Sequence, residues 1–261
     1  MTDNARVLRD LNEAVDRGDA VVLATVVATQ RSVPRRAGTK MLVFADGTTR
    51  GTVGGGEMEA KAIVAALETL RSHKPQLIDY ELVNPNEGDP GICGGSLTLY
   101  LEPYMPPHNV FVIGCGHVGR TVVDLAHWLG YLTIAIDDRP DLVSREAMPN
   151  ADVRVAGSVD EALTSHPVTE DSSIVVVTRS PEMDIRIIPS LLDTPARYIG
   201  VMGSRNRWRS TRDQLVADGV DPDELDRLHV PIGIEINAET LEEIAVSIMS
   251  EVINTNRSEV D

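Results

Sequence analysis

Two glycine-rich segments carry the residue types that best suit capture of a phosphate or another anion. In the second half of the chain, Gly114-Cys-Gly-His-Val-Gly119 has the spacing G-x-G-x-x-G. In the first half, Gly51-Thr-Val-Gly-Gly-Gly56 places three consecutive glycines at the start of a predicted helix. A glycine turn that opens a helix exposes backbone N–H groups and the positive end of the helix dipole. Both segments therefore predict anion binding.

The G-x-G-x-x-G segment has the neighbours that a dinucleotide site requires. It follows an apolar strand predicted at 109–113, and it opens a helix predicted at 117–129. The next predicted strand ends at Asp137 and Asp138, and either carboxylate would hold a ribose diol. The alternative is a Rossmann-like domain that uses its crevice for another ligand or for subunit contacts.

The residues of this segment have separate expected roles. Gly114 permits the tight turn, Gly116 lets the backbone approach a phosphate, and Gly119 lets the helix pack on the strand. His117 either touches the phosphate or caps the helix and is solvated. We expect Cys115 to be an inert small side chain.

Cysteine use bounds the chemistry further. The chain has two cysteines, Cys93 and Cys115. Two are too few for a disulfide framework or a four-cysteine zinc or iron–sulfur site. Cys93 stands among glycines in Asp89-Pro-Gly-Ile-Cys93-Gly-Gly95, so its thiol is open to a ligand. The thiolate could bind a soft metal or carry sulfur, and a small residue in a tight turn explains the pattern equally well.

The distribution of charge is uneven. A formal net charge of −16 on 261 residues argues against nucleic acid and anionic lipid as partners. Residues 31–40 nevertheless hold four cations and no acid, and residues 197–212 hold five cations and no acid. Arginine suits bidentate phosphate contacts. We favour anion binding for 31–40, which reads as a loop. For 197–212, anion binding and a salt-bridged helix face are equally good interpretations.

The elements that must position these residues fall into two groups. Residues 1–103 predict a small α+β domain, and residues 109–261 alternate strand and helix, which predicts a Rossmann-like parallel sheet with helices on both faces. Between them, the proline-rich segment 103–108 predicts a linker. The fold class is therefore α/β. The predicted strands are 20–29, 41–44, 51–53, 97–101, 109–113, 132–136, 152–155, 173–177 and 197–201. The predicted helices are an N-terminal helix, 57–71, 117–129, 158–165, 184–192, 205–218 and 240–254, the last with a capping box at Thr240 and Glu243.

The N-terminus and the hydropathy pattern bear on location. The first residues form a polar helical pattern without the apolar core of a signal peptide. No apolar run approaches the roughly 18–20 residues that span a membrane. We expect a reducing, cytoplasmic compartment and no membrane span.

Several segments, taken in order, are those of a known family. They are Ser32-Val-Pro-Arg35 with Gly38-Thr-Lys-Met-Leu-Val43, the Gly51–Gly56 turn with Glu59, Cys93-Gly-Gly95, the Gly114–Gly119 segment with Asp137 and Asp138, Thr178-Arg179 with Asp184, Tyr198-Ile-Gly200 with Gly203-Ser204-Arg205, and Pro231-Ile-Gly233 with Ala238-Glu-Thr240. On these motifs the chain resembles the XdhC/CoxI-type accessory proteins of molybdenum hydroxylases. The resemblance covers nearly the whole chain.

The resemblance implies a maturation chaperone rather than an enzyme. Such a protein would bind the molybdenum cofactor, support its sulfuration and insert it into a xanthine dehydrogenase-type client. It implies a sulfur-donating desulfurase as a further partner and a homodimer as the assembly. Cys93 would touch the cofactor or its sulfur. The other candidate cofactor contacts are Arg35, Lys40, Gly54, Gly55, Gly56, Glu57, Gly94 and Gly95, with Gly114, Gly116, His117, Gly119, Asp137 and Asp138 as candidate nucleotide contacts.

Two other functions stay open: an NAD(P)-dependent oxidoreductase, and a regulatory Rossmann protein that senses a nucleotide. The oxidoreductase lacks a convincing general acid, and we expect His127 to be packed within its helix. A complete xanthine dehydrogenase is excluded, because its two [2Fe–2S] clusters need about eight cysteines. Some relatives carry a cysteine in place of Glu57 or beside Cys93, and this chain has neither, so a two-thiol scheme is excluded too.

Overall fold

The computed structural model describes residues 3–31, 33, 35–81 and 95–258. The chain divides into two compact units, Met1–Pro106 and Pro107–Glu259. Each unit has its own sheet and its own buried core.

The first unit is an antiparallel sheet with one helix on each face. Its elements are α1 (Asp3–Arg17), β1 (Val21–Gln30), β2 (Lys40–Phe44), β3 (Thr49–Gly51), α2 (Gly56–Ser72), β4 (Gln76–Glu81) and β5 (Ser96–Tyr104). The strand order is β3-β2-β1-β5-β4. Alternate residues of β1 and β5 face α2, and the opposite face of β1 packs on α1 through Val21 and Leu23.

Sequence patterns located most of this unit. The hairpin between β2 and β3 is present, although β3 begins at Thr49 rather than at Gly51, because Asp46 accepts the Thr48 N–H and closes a tight turn. The strand β4 was missed. It is a sheet edge whose alternate residues are exposed, so it carries too few buried residues to stand out.

The second unit is a six-stranded parallel sheet. Its strands are β6 (Asn109–Ile113), β7 (Leu132–Asp137), β8 (Val153–Ala156), β9 (Ser172–Val176), β10 (Tyr198–Val201) and β11 (Leu228–His229). Its helices are α3 (His117–Trp128), α4 (Val159–Ser165), α5 (Pro181–Leu192), α6 (Arg205–Ala217), α7 (Pro222–Leu225) and α8 (Leu241–Arg257). The strand order is β11-β10-β9-β6-β7-β8.

Helices cover both faces of this parallel sheet. The helices α4, α5 and α6 pack on one face, and α3 and α8 pack on the other. The predicted fold class, a Rossmann-like α/β sheet preceded by a smaller α+β unit, is confirmed. The capping box predicted at Thr240 and Glu243 is also present. Because chain order reverses around β6, the crevice beyond the carboxyl ends of β6 and β9 is the switch point where such sheets bind ligands.

Candidate functional site

The loop between β6 and α3 explains each of its three glycines. A Cβ on Gly119 would lie 1.9 Å from the Gly114 carbonyl oxygen, so helix and strand pack too closely for any side chain. Gly114 has a φ of 103°, and a Cβ there would lie 2.6 Å from the Val177 carbonyl oxygen. At Gly116, by contrast, no described atom lies within 4 Å of an added Cβ. The space above Gly116 is therefore open to a ligand.

The start of α3 supports this interpretation. Gly116 is the N-cap and contributes no side-chain hydrogen bond, and the first turn holds no acidic residue. His117 is exposed in that turn. An uncapped helix start of this kind has N–H donors and a positive partial charge available to an anion.

Asp137 is placed differently from a ribose ligand. It is 5% exposed, and its carboxylate accepts the Cys115 N–H at 2.7 Å. It also accepts two guanidinium bonds from Arg139, at 2.8 and 2.9 Å, and the Arg139 N–H at 3.0 Å. Asp137 thus fixes the glycine loop to the end of β7, and its acceptor capacity is used within the chain.

Asp138 faces solvent but is paired. Both of its oxygens accept from Arg179 at 2.9 Å, in a bidentate contact between the ends of β7 and β9. This contact lowers the pKa of Asp138 to about 2. The cavity beside Gly114 and Asp138 measures about 30 Å³, roughly the space of one water molecule. A ribose at Asp138 would have to displace Arg179.

Cys115 is inert in this setting, as predicted. Its side chain is buried, and burial together with the charge of Asp137 raises the pKa of its thiol to about 12. The expectation for His127 was wrong. Its side chain is 48% exposed, 3.9 Å from Asp152, because it lies on the outer face of α3 beside the exposed Trp128.

The glycine turn of the first unit is held by its own helix. Gly54, Gly55 and Gly56 have φ values of 150°, 79° and 64°, a conformation that requires glycine. One oxygen of Glu59 accepts the Val53 N–H at 3.2 Å, the Gly55 N–H at 3.1 Å and the Thr52 hydroxyl. The turn therefore holds a carboxylate, and that carboxylate belongs to the chain itself.

The candidate residues of the first unit share one end of its sheet. Strand pairing sets Lys40 opposite Thr25, Gly51 opposite Met41 and Ser96 opposite Gln30. The basic segment 31–40, the glycine turn and Gly95 all follow or precede strands at that end. Lys40 is half-buried, and its ammonium donates to the Thr25 hydroxyl at 3.0 Å.

The remaining candidates of this unit have simple placements. Arg35 is half-buried in the loop that follows β1, and Glu57 is half-buried and pairs with Lys61 at 2.9 Å. Gly95 is buried directly before β5. Cys93 and Gly94 lie outside the described residues, and so do Ser32 and Pro34 of the basic segment.

In the second basic segment, salt bridges and a carbonyl contact account for three of the five cations. Arg207 pairs with the buried Asp184 at 2.5 Å, and Arg212 with Asp226 at 3.3 Å. Arg197 donates to the Glu170 carbonyl at 3.2 Å. Arg205 and Arg209 are exposed.

Sequence reasoning missed a buried polar cluster on α8. Glu251 accepts the Tyr198 hydroxyl at 2.6 Å, the Gly233 N–H at 2.7 Å and a contact from His229 at 3.2 Å. Burial and this carboxylate raise the pKa of Tyr198. The four groups come from separate segments, so no local spacing signals them.

Family models match both halves of the chain. The XdhC Rossmann domain matches residues 110–252, and the XdhC and CoxI family matches residues 14–81. The chain belongs to the XdhC and CoxI family. The resemblance inferred from the motifs is thereby confirmed.

Several known proteins are similar to this XdhC-family chain. The uncharacterized YqeB of Escherichia coli K12 is 30% identical over 90% of this chain and 43% of its own length. A Bacillus subtilis protein, described as one of the probable subunits of a xanthine dehydrogenase, is 28% identical over 61% of this chain and 46% of its own. The chain thus spans less than half the length of these two relatives.

Two further similarities extend over most of both chains. PaoD of Escherichia coli K12, a molybdenum cofactor insertion chaperone, is 24% identical over 97% of this chain and 89% of its own. A crystal structure described as a xanthine dehydrogenase from Bacillus halodurans aligns with a TM-score of 0.51 at 22% identity, covering 99% of this chain and 97% of that one. The structural match shows a shared fold.

Two features are absent from the part of the chain that the structure describes. No helix there is long and apolar enough to cross a membrane. No group of three or more histidine, cysteine, aspartate or glutamate side chains there is arranged to hold a metal ion.

Proposed function

We propose that this chain is a maturation factor that binds the molybdenum cofactor, supports its sulfuration and inserts it into a xanthine dehydrogenase-type hydroxylase. The observation that carries the proposal is the similarity to the insertion chaperone PaoD across nearly the full length of both chains. Family membership supports the same accessory role.

The end of the first sheet is the proposed cofactor site. The molybdenum cofactor is an anionic phosphate ester with soft dithiolene sulfurs. Arg35 and Lys40 would hold its phosphate, with Lys40 oriented by Thr25. Gly54, Gly55, Gly56 and Glu57, together with Gly94 and Gly95, would form the surrounding wall. The fit is supported by the turn itself, which already binds one carboxylate, that of Glu59.

Glu59 adds a condition to this site. Because its carboxylate takes the N–H groups of Val53 and Gly55, a phosphate reaches those donors only after Glu59 has moved aside. Arg35 and Lys40 remain the first contacts for an incoming anion.

Cys93 is assigned the contact with the cofactor or with its sulfur. When bound, the cofactor supplies a molybdenum centre that must receive a terminal sulfur before insertion. A single glycine-flanked thiol suits that task, since Cys115 is buried with a raised pKa and cannot ionise readily. The proposed partners are a desulfurase and a hydroxylase client, and the proposed assembly is a homodimer in a reducing cytoplasm.

Nucleotide binding at the Gly114–Gly119 loop is the second candidate. It is favoured by the open space above Gly116 and by the uncapped start of α3. NAD(P) or another nucleotide would place a phosphate there, with His117 and Asp138 beside it. The pairing of Asp138 with Arg179 weighs against an unaltered ribose contact.

The test of the proposed function is activation of a client hydroxylase by Cys93→Ser. We expect this variant to fold normally and to lose most of its ability to activate the apo-hydroxylase, because it lacks the sulfur-handling thiol. Cys115→Ala is the control, since it removes the other thiol and should leave activation near the parent level. Full activation by Cys93→Ser would refute the assignment.

A further inference from the structure

The largest opening at the ligand-binding edge of the parallel sheet lies beside the glycine loop rather than over it. A cavity of about 490 Å³ sits beyond the carboxyl ends of β9, β10 and β11. Ligand sites in proteins measure roughly 300–1,000 Å³, and the space beside Gly114 is far smaller. The proposed function of the first unit makes no use of this cavity.

The far wall of the cavity is fixed in place. It is formed by the segment 231–236, which leaves β11 and runs along α8. The Ser247 hydroxyl donates to the Ile234 carbonyl at 2.6 Å, and the Gly233 N–H donates to Glu251 at 2.7 Å. Gly233 has a φ of 92°, and a Cβ there would lie 2.3 Å from the Ser247 oxygen. The cavity is therefore preformed and not a gap beneath a loose loop.

The inner wall carries more hydrogen-bond donors than acceptors. Arg207 uses one terminal nitrogen, which donates to Asp184 at 2.5 Å and to Thr178 at 3.5 Å. Its Nε is buried without a partner among the described residues. The cavity also reaches Gly203 and Ser204, where α6 begins with no acidic residue in its first turn.

The acceptors near the cavity are already engaged. Asp184 is 2% exposed and bonded to Arg207 and Thr178. Glu235 lies at the exposed rim, where its side chain accepts the Asn237 N–H at 3.1 Å. The rest of the wall is apolar, with Ile232 and Ile244 among its residues.

We propose that this cavity binds a small organic oxyanion, a carboxylate or phosphate monoester with an apolar body. The oxyanion faces Arg207 and the start of α6, and the apolar body lies against the isoleucines. Four segments that carry the family resemblance meet here, those containing Thr178, Gly203, Asp184 and Gly233. This site belongs to the second unit, so its test is independent of the cofactor proposal.

The isoleucines that line the cavity allow a direct test. The full chain with ¹³C-labelled isoleucine methyl groups is titrated with benzoate, phenyl phosphate and benzylamine, and methyl shifts are followed by NMR. We expect saturable shifts from either anion, confined to Ile232, Ile234, Ile236 and Ile244. The tighter of the two anions identifies the head group. No saturable shift from either anion, or equal binding of benzylamine, would overturn the proposal.

A rim variant tests the same site through a gain of affinity, which loss of folding cannot imitate. Glu235→Gln removes the negative charge at the rim, so the better anion should bind about threefold tighter at low salt, with a smaller gain at high salt. Asp213→Asn, an exposed position on α6 outside the cavity, makes the same change in net charge. Equal affinities for the two variants would contradict the location.

Discussion

Two carboxylates take backbone donors that the sequence had suggested for ligands. Glu59 accepts from the glycine turn of the first unit, and Asp137 accepts from the loop after β6. Both lie several residues from the N–H groups they bind. A glycine pattern indicates that donors are exposed, but the acceptor that meets them depends on the folded geometry.

The glycine turn gives a residue-scale prediction. Glu59→Ala leaves the Thr52 hydroxyl and the N–H groups of Val53 and Gly55 without their acceptor. We expect a loss of about 1–3 kcal/mol in the free energy of unfolding, measured with urea. Added phosphate should restore part of this loss by occupying the emptied turn. Glu68→Ala, on the exposed face of α2, is the control, and an equal effect of both variants would contradict this role for Glu59.

Cys115 gives a pH-dependent prediction. Burial raises the pKa of its thiol from 9.0 to about 12, so the native state retains a proton that the unfolded chain releases above pH 9. Stability from this source is complete below pH 9 and is lost as the pH rises towards 12. Between pH 7 and pH 10 the parent should lose about 1 kcal/mol more than Cys115→Ala in urea unfolding. Identical losses in the two proteins would show that the thiol titrates normally.

At the scale of elements, the switch-point loop separates packing from ligand approach. Gly119→Ala sets a methyl group against the Gly114 carbonyl, and we expect it to cost about 2 kcal/mol or more in the free energy of unfolding. Gly116→Ala meets open space and should cost less than about 1 kcal/mol, since alanine is a poorer N-cap than glycine. Thermal unfolding of the matched pair checks this order, and a reversed order would refute the assigned roles.

Elements were predictable where burial leaves a period in the sequence. The strands β6, β7 and β9 are buried almost throughout and were located within one or two residues. The edge strand β4 was missed, and α5 begins three residues earlier than predicted. There the signals are local: Ser180 accepts the Met183 N–H as N-cap, and Pro181 occupies the first helical position.

At the scale of the whole chain, local charge and separate segments matter more than the net value. The −16 average hides an acid-free segment at one end of the first sheet and another that mostly forms salt bridges. The sequence could suggest both as anion sites but could not rank them, because ion pairs such as Arg207 with Asp184 join residues far apart in the chain. The cavity beyond β9, β10 and β11 had no sequence signal, since distant segments line it.

The cargo of the whole protein decides whether it is a cofactor chaperone. The measurement is the molybdenum and pterin content of the full chain, purified from cells that also produce its hydroxylase client, by metal analysis and mass spectrometry. We expect molybdenum and pterin to copurify in similar molar amounts with the parent, and in much smaller amounts with Cys93→Ser. A parent protein free of both, or a Cys93→Ser variant that retains both fully, would contradict the proposed function.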